Sequence, residues 1–472
     1  MGSERASISG VVELSADVLP LPTMASWKTS PWQLAIFGAA IGLRLAGGDI
    51  ALAGYSLLAL YALLGYRHVV QALAISWLLN MINPGLPAEP SPESALGGIL
   101  VVLASILSAG LRKLPTKRMV LPSVTIATVV LVLFLIINSI VISYQPDVSL
   151  LKTLYFSMLF LALLGAWRGL SPVEHASLVE WLYFYLLAVL FVGVPLAFVP
   201  LGFLRNGTGF QGVLSHPQAF GVVAGVLTAW VTAKVLSARK PSTFKFLLLV
   251  ALAAAVVASE ARTAGVALLV ALVGTLLVYS LDAGKPLKAH APGLTSSKFW
   301  TMALVALLGL AVAWAVVADR MADYVYKRTQ AETLVEALDA SRGRLTRKML
   351  ANIESVPFIG IGFGVASDPL ELVVKRDPVF NLPISAAIEK GVMPIAVLEE
   401  LGVFGASIFV WWVFAVLRQS YRAGFVPLVV SLGILATNIG EYTLFAPSGN
   451  GLILLVVLSG MATMRNAARA AV

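Results

Sequence analysis

The residues of this chain that could do chemistry are arginines and carboxylates that stand inside or beside long apolar runs. Arg205 lies in the glycine-rich stretch Phe203-Leu204-Arg205-Asn206-Gly207-Thr208-Gly209-Phe210, just ahead of Ser215-His216-Pro217-Gln218. Ser259-Glu260-Ala261-Arg262 interrupts an apolar stretch that runs from Phe246 to Tyr279. Arg342, Arg344, Arg347 and Lys348 place four cations within seven residues. Glu389 precedes another apolar run, and Glu399 and Glu400 lie inside it. A guanidinium presents paired N–H donors that match phosphate oxygens, so the arginines point to an anionic ligand. A carboxylate in apolar surroundings must be neutralised by a cation, a hydrogen bond or a proton, and one that is not can act as a base.

Each group also has a structural explanation. Glu260 and Arg262 could pair across a tight turn. The 342–348 cluster suits an interfacial helix resting on lipid headgroups. Glu399 and Glu400 could pair with Arg262 or with that cluster, structural pairing being the commoner case. His216, ahead of a proline at a helix start, more often caps or packs than catalyses. Pro357-Phe358-Ile359-Gly360-Ile361-Gly362-Phe363-Gly364 lacks the following Lys-Ser/Thr of a phosphate loop and reads as a turn beneath the arginines.

The elements that must position these residues are membrane helices. The chain is 59% hydrophobic and 12% charged, about half the charge of a soluble domain, which excludes cytosolic enzymes and nucleic-acid-binding domains. There is no cysteine and there are four histidines, so a thiol nucleophile is excluded and no metal site is expected. Fourteen apolar runs fall between residues 32 and 464; a span needs about 20 apolar residues, so about 12–14 transmembrane helices are expected. As one helix, 246–279 would be about 50 Å long against a hydrocarbon core of roughly 30 Å, so it must break at 259–262.

Lys and Arg concentrate in loops separated by even numbers of spans: Arg112 to Arg118, Lys234 to Lys245, Lys285 to Lys298, Arg418 with Arg422, and the tail. By the positive-inside rule these are cytoplasmic, as are both ends. The expected layout is a cytoplasmic arm over 1–31, helices over 32–318, a large extracytoplasmic loop over 319–391, three further spans over 392–464 and a tail over 465–472. The loop carries ten basic and ten acidic residues. Leu345, Met349 and Ile353 recur at helical spacing opposite Arg344, Arg347 and Lys348, which predicts an amphipathic helix.

Arg205 before a glycine-rich loop, Ser-Glu-Ala-Arg at 259–262, Ser-Arg-Gly-Arg at 341–344, Pro-x-x-Gly-x-Gly at 357–362 and Glu-Leu-Gly-Val-Phe-Gly at 400–405 occur in an order that resembles the O-antigen ligase and O-antigen polymerase superfamily, from roughly residue 200 to the end. The resemblance implies an all-α, GT-C-like polytopic membrane bundle in the bacterial inner membrane. It implies glycan transfer from an undecaprenyl-pyrophosphate-linked oligosaccharide to a glycan or lipid acceptor hydroxyl at the outer face, without metal or other cofactor. Arg262 with Arg342 or Arg344 would hold the pyrophosphate, with Arg205 and Arg347 as further candidates. Ligases of this superfamily typically carry a histidine eleven residues before the first glycine of the Glu-x-Gly element, where this chain has Gly391, and 319–391 contains no histidine. Glu389 becomes the candidate base, with Glu399 or Glu400 behind it, and a polymerase is favoured over a lipopolysaccharide ligase. The rivals are a secondary transporter and an export protein without catalysis; neither internal repeats nor midplane polar residues favour the first.

Overall fold

The computed structural model describes residues 29–89, 94–112, 123–282, 286–312, 334–376, 381, 383–388, 390–446 and 449–464, without the side chains of 94, 95, 334–342, 384, 385 and 387. Of the candidate residues, Glu389 lies outside this set, and Arg342 is described as backbone alone.

The described residues are mostly helical. The first half contains α1 (Pro31–Ala46), α2 (Ile50–Ala62), α3 (Tyr66–Met81), α4 (Ser94–Leu111), α5 (Ser123–Val141), α6 (Pro146–Gly169) and α7 (Pro172–Gly193). After two short 3-10 turns follow α8 (Pro217–Leu236), α9 (Thr243–Ala258), α10 (Arg262–Ser280), the single turn α11 (Leu287–His290) and α12 (Ser297–Val312). The hydrophilic connection contributes α13 (Leu334–Ser355) and the strands β1 (Val373–Arg376) and β2 (Pro383–Ala387). The last three helices are α14 (Met393–Ala423), α15 (Phe425–Thr437) and α16 (Asn450–Thr463). Each of the fourteen apolar runs therefore contains a helix. Among the described residues six helices are long and apolar enough to cross a membrane, which makes this a multi-pass membrane protein; further apolar helices have 13 to 16 residues.

α8 is buried nearly all round, whereas peripheral helices are apolar on both faces and pack only one inward. On α5, Val124, Ala127, Leu131 and Leu135 are buried while Ile126, Val130, Leu133, Ile137 and Ile140 are exposed at helical spacing. A stripe of that composition is stable against lipid and not against water. The predicted break between α9 and α10 falls where expected: α9 ends at Ala258, α10 begins at Arg262, and Glu260 takes φ 56° between them. On α13 Met349 is fully buried and Arg344 exposed, the two-faced pattern its spacing called for.

The departure from an all-α chain is a hairpin. β1 and β2 pair antiparallel with Val373 opposite Ala387, and the register slips between Lys375 and Arg376. Val-Val-Lys-Arg opens with two β-branched residues but does not alternate apolar with polar, a strand signal too short to stand out beside a helical loop.

The longest helix, α14, is broken at Gly402, whose φ of 62° and ψ of −174° interrupt an otherwise helical run. In a continuous helix Val403 and Phe404 would donate to the carbonyls of Glu399 and Glu400. Instead, their N–H groups donate to Pro357 O (2.9 Å) and Phe358 O (3.3 Å), and the two freed carbonyls accept from Ile361 N (2.9 Å) and Gly362 N (3.0 Å). The 357–362 loop thus supplies new partners for these four groups, which is the condition for an irregular backbone at membrane depth. A Cβ on Gly402 would collide with the backbone of Phe358 and Ile359, and its backbone conformation is one only glycine adopts readily.

Gly402→Ala is expected to destabilise the protein by roughly 1–3 kcal/mol from backbone conformation alone, with more from the collision, read as a lower thermal midpoint in detergent. Gly309→Ala, inside α12 where an added Cβ meets nothing within 4 Å, should not lower that midpoint.

Candidate functional site

The break in α14 carries a cluster of buried charges. Glu399, Glu400 and Lys390 are almost completely buried. Lys390 Nζ lies 2.5 Å from Glu399 Oε2 and 3.2 Å from Glu400 Oε1. Asn352 of α13 donates from Nδ2 to Glu399 Oε1 (2.7 Å) and to Ser367 O (2.7 Å), tying the loop helix to the membrane helix. Tyr442, in the connection between α15 and α16, donates its hydroxyl to Glu400 Oε2 (2.7 Å). Burial and the adjacent Glu400 carboxylate push the Tyr442 phenol well above its ordinary value, so it remains a donor. Tyr144, ahead of α6, donates to Ala366 O (2.8 Å), and burial together with the neighbouring Glu399, Asp368 and Glu400 carboxylates pushes it up to about 12.

Glu399 and Glu400 are therefore paired, as the structural alternative held, but with Lys390 as the cation in place of the expected Arg262 or the 342–348 cluster. The reason is local. The chain leading into α14 folds back so that Lys390, nine residues from Glu399 in sequence, reaches the carboxylates from the helix's own entrance. Neither carboxylate is open to a ligand directly; Glu400 connects to the adjoining cavity through Tyr442.

That cavity, about 490 Å³, lies between α4, α6 and the 442–446 connection. Ile99, Leu103, Leu154 and Met158 make its wall apolar, and Lys152, Asn80 and Tyr442 supply polar groups. Lys152 sits on α6 about 9 Å along the helix axis from its first residue. Among the described residues its ammonium makes no hydrogen bond or ion pair. Lys152 was legible as a lone cation inside the apolar run 150–167, by the same argument that singled out Arg262. Lys390, Asn352 and Tyr442 had no comparable signal, since their partners are remote in sequence or of ordinary type.

The arginines fall into two groups. Arg205 is exposed, and its backbone N–H donates to Gln211 Oε1 (3.0 Å). Asn206 Oδ1 organises the following turn by accepting from Gly209 N (2.9 Å), and Thr208 donates to Glu260 Oε2 (3.1 Å). The glycine-rich loop therefore meets the 259–262 turn, from which Arg262 opens α10. Thr263 in turn donates to Glu441 Oε1 (3.3 Å), next in sequence to Tyr442. Arg344 and Arg347 belong to α13, which packs against α14, whereas α10 packs against α15 and α8. Arg344 faces Glu371 at 3.6 Å, and Lys348 pairs with Asp368 (3.1 Å) and Glu371 (2.8 Å). The basic face of α13 is thus partly matched by acids of its own loop. His216 caps α8, its Nδ1 accepting from Gln218 N (3.0 Å). In a neutral ring that bond places the proton on Nε2 and makes that nitrogen a donor, which removes His216 as a neutral-ring base through Nε2.

No protein-family model matches the chain, and no curated protein matches it in sequence. The functional reading therefore rests on these residues and their geometry.

Lys390→Met would leave two buried carboxylates without their cation. Breaking such a cluster on one side costs about 3–5 kcal/mol, so the variant should accumulate poorly or melt far below the parent. The triple variant Lys390→Met/Glu399→Gln/Glu400→Gln should recover most of the loss in the same measurement.

Proposed function

We propose that this chain is a membrane glycosyltransferase that takes a glycan from a polyprenyl-pyrophosphate carrier, undecaprenyl pyrophosphate in bacteria, and delivers it to an acceptor hydroxyl at the outer face of the inner membrane. The observation that carries the reading is Lys152: among the described residues its ammonium makes no ion pair or hydrogen bond, and it stands in the wall of a mostly apolar cavity between membrane helices. Apolar walls suit a polyprenyl tail, and the cation suits the first phosphate behind it. The motif order from Arg205 to Gly405 supports the same class, and the absence of a histidine from 319–391 favours a polymerase over a lipopolysaccharide ligase. The distribution of Lys and Arg among the loops supports cytoplasmic termini and an outward-facing 319–391 connection.

In this reading the acceptor oxygen attacks the anomeric carbon opposite the pyrophosphate, and the carbon–oxygen bond to phosphate breaks with its electron pair passing to the leaving group. The configuration inverts, and the acceptor proton goes to a carboxylate. Lys152 would stabilise the charge that grows on the phosphate oxygens, and Arg262 with the arginines of α13 remain candidates from the motif order. Glu389 is the candidate base, and Glu400, reached through Tyr442, is the alternative.

The broken α14 with its buried charges favours one rival, a secondary transporter, because transporters bind substrate at interrupted helices. There the unwound backbone faces the ligand. Here the N–H groups of Val403 and Phe404 and the carbonyls of Glu399 and Glu400 are bonded to the 357–362 loop, which supports a braced scaffold over a transport site.

Incubation of the purified protein with a polyprenyl-pyrophosphate oligosaccharide is expected to release free carrier pyrophosphate and a lengthened or transferred glycan. Lys152→Met and Arg262→Ala should each lower that rate by about 10²-fold or more with normal accumulation, while Lys152→Arg retains part of it. Unchanged turnover in both variants would overturn the mechanism. Solute counterflow into vesicles without carrier release would favour the transporter.

A further inference from the structure

A second, smaller cavity adjoins the one that holds Lys152. Its volume is about 220 Å³, and Ala446 lines both. Its polar groups come from three separate stretches: His216 and Gln218 at the start of α8, Glu441 and Thr443 from the α15–α16 connection, and Asn450 at the start of α16. Neighbouring residues of that connection face different cavities, Glu441 this one and Tyr442 the larger.

Asn450 is nine-tenths buried, and among the described residues its side-chain oxygen has no hydrogen-bond partner. Buried polar atoms are rarely left so, and an orphan in a cavity wall marks where a ligand completes the bonding. The chemistry of the ligand follows by exclusion. An acceptor oxygen needs a donor, and the Glu441 carboxylate repels anions, so a bare phosphate does not fit. Two helix N-termini, those of α8 and α16, bring partial positive charge to the same space, so a metal or ammonium cation does not fit either. A neutral group that both gives and takes hydrogen bonds satisfies amide, carboxylate and helix ends together, and a sugar's hydroxyls have that character. The volume is below the roughly 300–1,000 Å³ of drug-sized pockets, which restricts the occupant to a small unit.

We infer that this cavity binds a neutral sugar residue, held by Asn450, Glu441 and Gln218. As the seat of the acceptor end of the glycan, beside the carrier cavity, it rests on the transferase reading; as a saccharide site it does not.

The test uses the full-length protein in nanodiscs, without carrier, and a panel of methyl glucoside, methyl galactoside and N-acetylglucosamine, with glycerol as a non-saccharide control. Saturation-transfer NMR should show saturable contact for at least one saccharide and none for glycerol. Asn450→Ala should weaken it about tenfold, the weight of one hydrogen bond. Glu441→Gln, which keeps the shape, and Gln218→Ala should weaken it as well, and they stand in if Asn450→Ala does not fold. Lys152→Met should leave it unchanged. Absence of saturable contact with every saccharide, or contact that survives the well-folded cavity variants, overturns the inference. Because no carrier is present, saccharide binding can stand where glycan transfer fails, and the reverse.

Discussion

The structure turns on the exchange of backbone hydrogen bonds at Gly402. A helix that breaks among apolar neighbours must find partners for the groups it releases, and α14 finds them in one loop, residues 357–362. Two donors and two acceptors on each side are satisfied reciprocally, so loop and helix are fixed to each other to within hydrogen-bond tolerance. The close approach is possible because Gly360 and Gly402, both at positive φ, meet there without side chains. The cluster of Lys390, Glu399 and Glu400 sits at this junction, and Asn352 carries the connection out to α13.

The clasp makes the polar cluster part of a rigid frame. Buried charges gain little net stability unless they are well paired, but they are intolerant of alternatives. A lysine held between two carboxylates, with Asn352 and Tyr442 on their outer oxygens, specifies one arrangement of α13, α14 and the α15–α16 connection. That connection then presents Tyr442 to one cavity and Glu441 to the other. The positioning of both proposed ligand spaces thereby depends on the break in α14, although most of their lining comes from α4, α6, α8 and α16.

The arginines, the most conspicuous residues in the chain, occupy a different place in this picture. Arg205 lies in a loop that meets the turn before Arg262 through Thr208 and Glu260, and Arg344 and Lys348 are engaged by Glu371 and Asp368. Lys152 is inconspicuous in the sequence, and among the described residues it makes no ion pair of that kind. Charge density along a sequence locates segments that face water or headgroups; the charge left uncompensated after folding is what a ligand can use.

The sequence by itself determined the helices, because an apolar run of sufficient length has no other stable state in lipid. It determined the turn at 259–262 for the same reason of length, and the two-faced character of α13 from the spacing of Leu345, Met349 and Ile353. The spacing of Glu399, Glu400 and Gly402 identified a costly position without revealing its solution. Only the tertiary structure decided that Lys390 neutralises those carboxylates, that the glycine loop mends the helix, and that Lys152, Tyr442, Glu441 and Asn450 line neighbouring cavities. Those outcomes bring residues as far apart as 152 and 442 to one cavity, and periodicity along a chain carries no information about which distant segments will meet.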